Sequence, residues 1–366
     1  MNAETLLGVF TPLTLSTALQ VIMLGFIGGV LSGFIGSGGA FFMTPGMMNL
    51  GVMGPIAVGS NITHKFGKAI VGSRRHGQMG HVDKKLSIFM LITAAVGIRL
   101  AVWVMKIMFA EHGDSHAGHG AAADLYISVV FVGVLSLVSI SMLRDILRAR
   151  SAGEAGPSRR IVELLGRLRL HPLIHFPVAD VRVSLWVVLV CGLATGYLAG
   201  TIGVGGFIGV PAMIYVFGIS AQVAAGSELF LAIFMGAFGA VNYALEGMVD
   251  LRLTMLLYIG SLMGIHIGVY GTKVVREVVI RLTTAVIILL CVISRAVATP
   301  VYLRQLGTLS YDPRLDGVFN VASKALLYAS GTIGTLIILT YVFRAHIEKR
   351  RIRASLAVSA AERAPA

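Results

Sequence analysis

Gly33-Phe34-Ile35-Gly36-Ser37-Gly38-Gly39 and Gly200-Thr201-Ile202-Gly203-Val204-Gly205-Gly206 are one glycine-rich break set twice into strongly apolar sequence. Working outward, the register that lays Gly29 on Gly196 also superposes, without a gap, Gly51 on Gly218, Ala57 on Ala224 and Gly59-Ser60 on Gly226-Ser227. The same register brings Gly80 onto Gly247, Val82-Asp83 onto Val249-Asp250, Gly97-Ile98 onto Gly264-Ile265, and Lys106 onto Lys273. Roughly a quarter of the aligned positions are identical, about half of them glycine, as an internal duplication produces. Chance similarity between apolar helices would scatter Leu and Val matches rather than align a run of glycines with a Gly-x-Val-Asp.

Composition fixes the class. With 56% hydrophobic and 13% charged residues, the chain lies far outside the soluble range, and apolar runs of membrane-spanning length follow one another. The reading is an all-α polytopic membrane protein of two inverted-topology repeats with Gly-broken or re-entrant helices, plus an extra C-terminal helix. The 44 glycines and 16 methionines agree, because small residues let helices approach closely in lipid. No Lys or Arg precedes Lys65, so the start lacks the basic region of a cleavable signal and the first helix is expected to be retained. Cys191 and Cys291 both fall in apolar spans and read as core packing, not as a disulfide or a metal site.

A coarse pass places apolar elements near 18–36, 40–50, 57–73, 86–107 and 125–143, then 184–203, 207–217, 221–243, 253–272 and 282–300, with one left over at 321–343. If each break reverses the chain, Arg74-Arg75, Lys84-Lys85, the segment Arg144 to Arg182, Lys273 to Arg281 and Lys349-Arg350-Arg351 share one side, which is then the cytoplasm. If each break were only a kink, the tail and Lys273 to Arg281 would lie outside while Arg74-Arg75 stayed inside. The charges favour reversal, and an odd number of crossings per repeat makes the copies inverted, as in many secondary transporters. The expected layout is repeat 1 at 1–143, a basic cytoplasmic linker at 144–182, repeat 2 at 183–300, an external loop and extra helix at 301–343, and a basic cytoplasmic tail at 344–366. The N-terminus is expected outside and the chain in the inner (plasma) membrane. Within the linker, Ile161, Leu164, Leu165 and Leu168 recur at helical spacing among arginines, as in a helix lying on an anionic leaflet or one packed on cytoplasmic loops. The net charge of +13 comes mostly from these basic segments and gives little support to nucleic-acid binding.

An interrupted helix exposes amide N–H groups at the start of its returning half, where the macrodipole is positive, and such an end attracts anions. Irregular backbone at this depth is tolerated where it is buried in protein or lines a cavity. Gly36, Ser37, Gly38, Gly39, Gly203, Gly205 and Gly206 are therefore candidate substrate contacts, with Ser37 and Thr201 as hydroxyl donors. The third glycine is misplaced for a dinucleotide fingerprint. Just downstream, Asn61, His64, Lys65 and Lys68 follow i, i+3, i+4, i+7 and share a helix face. Charges at such a depth face a cavity, a partner or a solute. Lys65 and Lys68 read as the charge complement of an anion, with Asn61, Ser60 and Ser227 as hydrogen-bond donors. In the second repeat the corresponding face is Glu228, Leu231, Ala232 and Met235. Glu228 reads as a proton carrier, a counter-charge for a lysine in the empty site, or a purely structural ion-pair partner; His64 is a second coupling candidate.

Arg99 and His266 are repeat mates expected to reach one cavity or to satisfy helix carbonyls, and Arg295, near a span end, is expected to snorkel to the headgroups. His112, Asp114, His116 and His119 offer metal ligands on an external loop, although a flexible hydrophilic loop explains them more cheaply and no metal site is expected. No cofactor is expected, and no phosphate-binding Gly-x-x-x-x-Gly-Lys-Ser/Thr loop accompanies the breaks.

The paired breaks, with Pro45 and Pro211 nearby, the Ala-x-Gly-Ser turns at 57–60 and 224–227 and the Gly-x-Val-Asp hairpins, resemble the TauE/SafE sulfite exporter family, also called the toluene sulfonate uptake permease family. The likeness covers about residues 20–107 and 184–300. Pro45 is one residue out of register with Pro211, and the His-rich loop, the long linker and the last helix look like additions. The resemblance implies a secondary transporter of small sulfur-containing anions such as sulfite or organosulfonates, with the proton as a candidate coupling ion. The alternatives are a passive anion channel, or a metal-dependent membrane enzyme or sensor using the His-rich loop.

Overall fold

The computed structural model describes residues 13–35, 39–110, 120–152, 171–203, 205–275 and 277–362. Five helices form the first half: α1 (Leu15–Ile35), α2 (Ala40–Asn49), α3 (Gly54–Gln78), α4 (Lys84–Ala110) and α5 (Ala121–Ala152). A two-stranded antiparallel hairpin, β1 (Leu173–Phe176) and β2 (Val181–Ser184), precedes the second half. There follow α6 (Leu185–Ile202), α7 (Gly206–Pro211, continued by a π turn to Val216), α8 (Ala221–Leu245), α9 (Leu251–Val274) and α10 (Glu277–Gln305). The last helix, α11 (Leu315–Glu362), runs well past the apolar stretch and carries the basic tail with it. The hairpin falls inside the segment read as linker, whose residues 161–168 lie outside the described ones.

Eight of these helices are long and apolar enough to cross a membrane. Their outward faces are greasy: on α4, Ile88, Ile92 and Val96 follow one another at i, i+4 and are 51%, 59% and 60% exposed, which suits lipid. α3 is long enough as well, but its polar stripe lowers its hydropathy. Neighbouring helices cover that stripe, so the charges face protein and not hydrocarbon.

The glycine breaks reverse the chain. A Cβ built on Gly39 would overlap the Gly28 carbonyl oxygen, and one on Gly46 would meet Leu24, so α2 runs back along α1 from near its middle. In the second half Gly205 faces Ala199 and Gly209 faces Thr195, and α7 returns along α6 in the same way. Gly203, at φ +76°, ends α6 in the left-handed conformation that glycine adopts without strain.

Helix pairing crosses between the halves. α1 packs on α9, α4 on α6, α3 on α8 and α5 on α10. Glycines set the close approaches: Gly25 and Gly29 lie against the backbone of Leu257 and Ser261, and Gly192 and Gly196 against that of Met90 and Ala94. These contacts repeat at the same 167-residue offset that aligned the sequence. α3 and α8 run antiparallel, with Ile62 beside Gly239, Phe66 beside Gly236 and Leu229 beside Gly72.

The Gly-x-Val-Asp segments are helix-to-helix turns. Gly80 and Gly247 take φ of +73° and +71°, and Asp83 and Asp250 then cap the next helix by accepting from Leu86 N at 3.0 Å and Arg252 N at 2.9 Å. Each turn is stapled to the opposite half: Asp83 N donates to Ser227 Oγ at 2.9 Å, and Asp250 N to Ser60 Oγ at 3.0 Å. Ser87 and Thr254 donate to the backbone carbonyls of Ser227 and Ser60 respectively. Removing either serine hydroxyl leaves a buried amide unsatisfied, so Ser60→Ala and Ser227→Ala should each cost about 1–3 kcal/mol, read as similar losses of thermal stability in detergent.

Candidate functional site

The site grows from α3, whose turns carry Asn61, His64, Lys65 and Lys68 into the protein interior, all of them buried. Asn61 and Lys65, four residues apart on one face, meet the break of the second half. Asn61 Nδ2 donates to Thr44 Oγ1 at 2.8 Å, and Thr44 Oγ1 donates to the carbonyl of Ile202, the last residue of α6, at 3.2 Å. A Cβ on Gly203 would fall 2.9 Å from Asn61 Nδ2 and 3.0 Å from Thr44 Oγ1; one on Gly205 would fall 3.5 Å from Lys65 Nζ. Gly203 is required because its φ is left-handed and a Cβ would crowd Asn61 and Thr44, whereas at Gly205 a Cβ would be crowded by Ala199 and Met235 and would only touch Lys65.

From α8, Glu228 brings a carboxylate to the same point. Its Oε1 lies 3.7 Å from Lys65 Nζ, and its other oxygen lies against the backbone of Gly209. Neither carboxylate oxygen accepts a hydrogen bond from the described residues, and Thr195 Oγ1 nearby is equally unpartnered. At 3.7 Å the pair is a Coulombic contact rather than a hydrogen bond. A buried ion pair held this loosely recovers little of its desolvation cost, and a group able to accept from Lys65 would compete with Glu228 for it.

Other expected members go elsewhere. His64 points to α9, with Nε2 2.7 Å from Ser261 Oγ and its ring 4.8 Å from that of Tyr258. Lys68 is buried one turn beyond Lys65 and has no carboxylate within 4.0 Å among the described residues. The hydroxyls of Ser60 and Ser227 are committed to the turn staples, and Thr201 Oγ1 donates to the carbonyl of Tyr197 in its own helix. Gly39 and Gly206 stand at the starts of the returning helices α2 and α7. Gly36, Ser37 and Gly38 lie outside the described residues, as does the His-rich segment 111–119. Among the described residues, no group of His, Cys, Asp and Glu is arranged to hold a metal ion.

Three readings of single residues are corrected. Arg295 does not snorkel: it is 1% exposed, and its Nη2 donates to Asn49 Oδ1 at 2.7 Å, tying α10 to the end of the returning helix α2. Arg99 and His266 do not share a cavity. Arg99 Nη1 donates to Asn242 Oδ1 and sits 3.8 Å from Glu246, whereas His266 lines a groove against α11. Thr44, Thr195 and Gly209 were not legible as site residues; Thr44 is matched across the repeats by Pro211, so the duplication gave no signal.

A bundle of apolar helices closed around a buried cation, a carboxylate and interrupted backbone defines a multi-pass membrane transport protein. The chain belongs to the sulfite exporter TauE/SafE family, whose model matches residues 21–295. It is similar to the probable membrane transporter protein YjnA of Bacillus subtilis (strain 168), 24% identical over 254 residues, which are 69% of this chain and 89% of that one. YdhB of the same organism, also named a probable membrane transporter protein, is 23% identical over 267 residues, 72% of this chain and 94% of that one. A probable membrane transporter protein of Xylella fastidiosa (strain 9a5c) is 24% identical over 263 residues, 70% of this chain and 85% of that one. No solved structure matches.

Proposed function

We propose that the protein is a secondary transporter of small sulfur-containing anions, sulfite or organosulfonates, working by alternating access between two inverted repeats. The observation that carries the reading is the loose Lys65–Glu228 contact beside the Gly203–Gly205 break. In the empty site Glu228 serves as the internal counter-ion of Lys65. An arriving oxyanion takes its place at Lys65, with Asn61 as donor and Lys68 adding positive potential from the next turn. Glu228, released from its cation in a dry interior, then has reason to take up a proton, which would couple anion flux to proton movement. His64, held to α9, is the second coupling candidate. The antiparallel course of the repeat mates α3 and α8 and the 167-residue periodicity of the contacts support inversion. The distribution of basic segments supports an inner-membrane orientation with the N-terminus outside and the C-terminus in the cytoplasm, and on that topology the Ser227–Asp83 staple is cytoplasmic and the Ser60–Asp250 staple external. The family's name supports sulfite as the first anion to try.

Counterflow in proteoliposomes tests this directly. Preloaded sulfite or a sulfonate such as sulfoacetate should drive saturable uptake of labelled substrate, and an imposed pH gradient should change its rate. Flux that never saturates and shows no counterflow would make the protein a passive channel, and indifference to the pH gradient would remove proton coupling.

A further inference from the structure

We infer that the groove between α9 and α11 is a binding site for an anionic phospholipid, seated with its acyl chain along the groove and its headgroup at Arg344. The groove has a volume of about 800 Å³ and is lined by His266 and Tyr270 of α9 and by Leu339, Thr340, Phe343 and Arg344 of α11. Its walls are mainly apolar along the apolar stretch of α11, and its basic end coincides with the point where that stretch gives way to the tail Lys349-Arg350-Arg351. An acyl chain suits the walls, and a phosphodiester suits the end. Basic pockets between membrane helices beside a polybasic segment select anionic headgroups.

A comparison within the molecule supports an anion from outside the protein. In the first half, the repeat mates of this region carry their own counter-charge: Lys106 Nζ is 2.8 Å and Arg99 Nη1 3.8 Å from Glu246. Glu246 itself belongs to the second half and its counterpart in the first half is Met79, so the internal symmetry offers His266 no equivalent carboxylate. Among the described residues, no carboxylate lies within 4.0 Å of Arg344 or His266. α11 has no counterpart in the first half, so the groove is a feature the extra helix creates.

The test is lipid retention by the full-length protein, purified in detergent, exposed to phosphatidylglycerol or phosphatidylcholine of matched chains and examined by native mass spectrometry. Phosphatidylglycerol should be retained in preference to phosphatidylcholine. Arg344→Gln should cut that preference about fivefold, as loss of one basic residue at an anionic surface does, while Arg344→Lys keeps it. Thr340→Trp, which fills the groove, should lower retention of both lipids. Glycerol 3-phosphate should not compete, because it lacks the chain. Equal preference in the wild type and Arg344→Gln, equal loss in Arg344→Lys and Arg344→Gln, unchanged retention in Thr340→Trp, or displacement by glycerol 3-phosphate would overturn the assignment.

Discussion

Lys65→Met should abolish anion flux in proteoliposomes while leaving membrane insertion intact. The lysine is 7% exposed and is the cation nearest the break, 3.7 Å from Glu228 Oε1. Removing it leaves a buried carboxylate uncompensated, and breaking a buried pair from one side costs about 3–5 kcal/mol. Loss of flux in the single variant would therefore mix loss of the site with loss of stability. The double variant Lys65→Met, Glu228→Gln separates them: no net charge is left stranded, so thermal stability should recover most of that loss, whereas flux should stay absent because no cation faces the substrate. Glu228→Gln alone should make a different change. It leaves Lys65 free for the anion, so half-saturation should fall to lower substrate concentration and the response to a pH gradient should disappear. The proposed site would be wrong if the well-folded double variant moved sulfite or sulfoacetate at the wild-type rate.

Gly39→Ala should prevent formation of the first hairpin. Its Cβ would overlap the Gly28 carbonyl oxygen and come within 2.7 Å of the carbonyl carbon, and neither backbone can yield without separating α2 from α1. Overpacking a well-packed core costs about 1–3 kcal/mol where neighbours can shift, and this contact is with main chain, so the loss should lie at or beyond the upper end. Gly39 itself has φ −69°, so the effect is steric crowding and not backbone strain. Gly133→Ala is the matched control: it lies inside α5 with open space where its Cβ would go, and alanine is the better helix former, so stability should be unchanged or slightly raised. Size-exclusion profiles and melting curves of the two variants in detergent give the comparison. A well-behaved Gly39→Ala protein with a wild-type melting temperature would refute the close packing described.

Much of the fold could be read in the chain because glycine is conspicuous when its absence of a side chain is required. The aligned pairs Gly25 and Gly192, Gly29 and Gly196 are places where one helix touches another's backbone, and Gly59 and Gly226 are places where a helix touches the backbone of the opposite Gly-x-Val-Asp turn, at Met248 and His81. The pairs Gly51 and Gly218, Gly80 and Gly247 are left-handed turns. Both kinds recur at the 167-residue offset, so the sequence register is also the contact register. The β-hairpin was not legible: its four-residue strands sit among basic residues, and what secures it is Asp83 Oδ2 accepting from Val178 N and Ala179 N, a contact across 95 and 96 residues. Arg295 was misread for a related reason. A charge near a span end snorkels when nothing inside can receive it, but here Asn49, 246 positions away, accepts it in the interior.

The sequence by itself determined the membrane class, the apolar helices among the described residues, the 167-residue register and the cationic stripe after the first break, because each rests on composition or on spacing along the chain. Only the tertiary structure decided which polar groups meet. It brought Asn61 and Lys65 of one half to the break of the other, set Glu228 against Lys65, withdrew Ser60 and Ser227 into the turn staples and turned His64 toward α9. A side chain's partner in a buried, low-dielectric interior depends on which helix crosses in front of it, and helix periodicity carries no record of that.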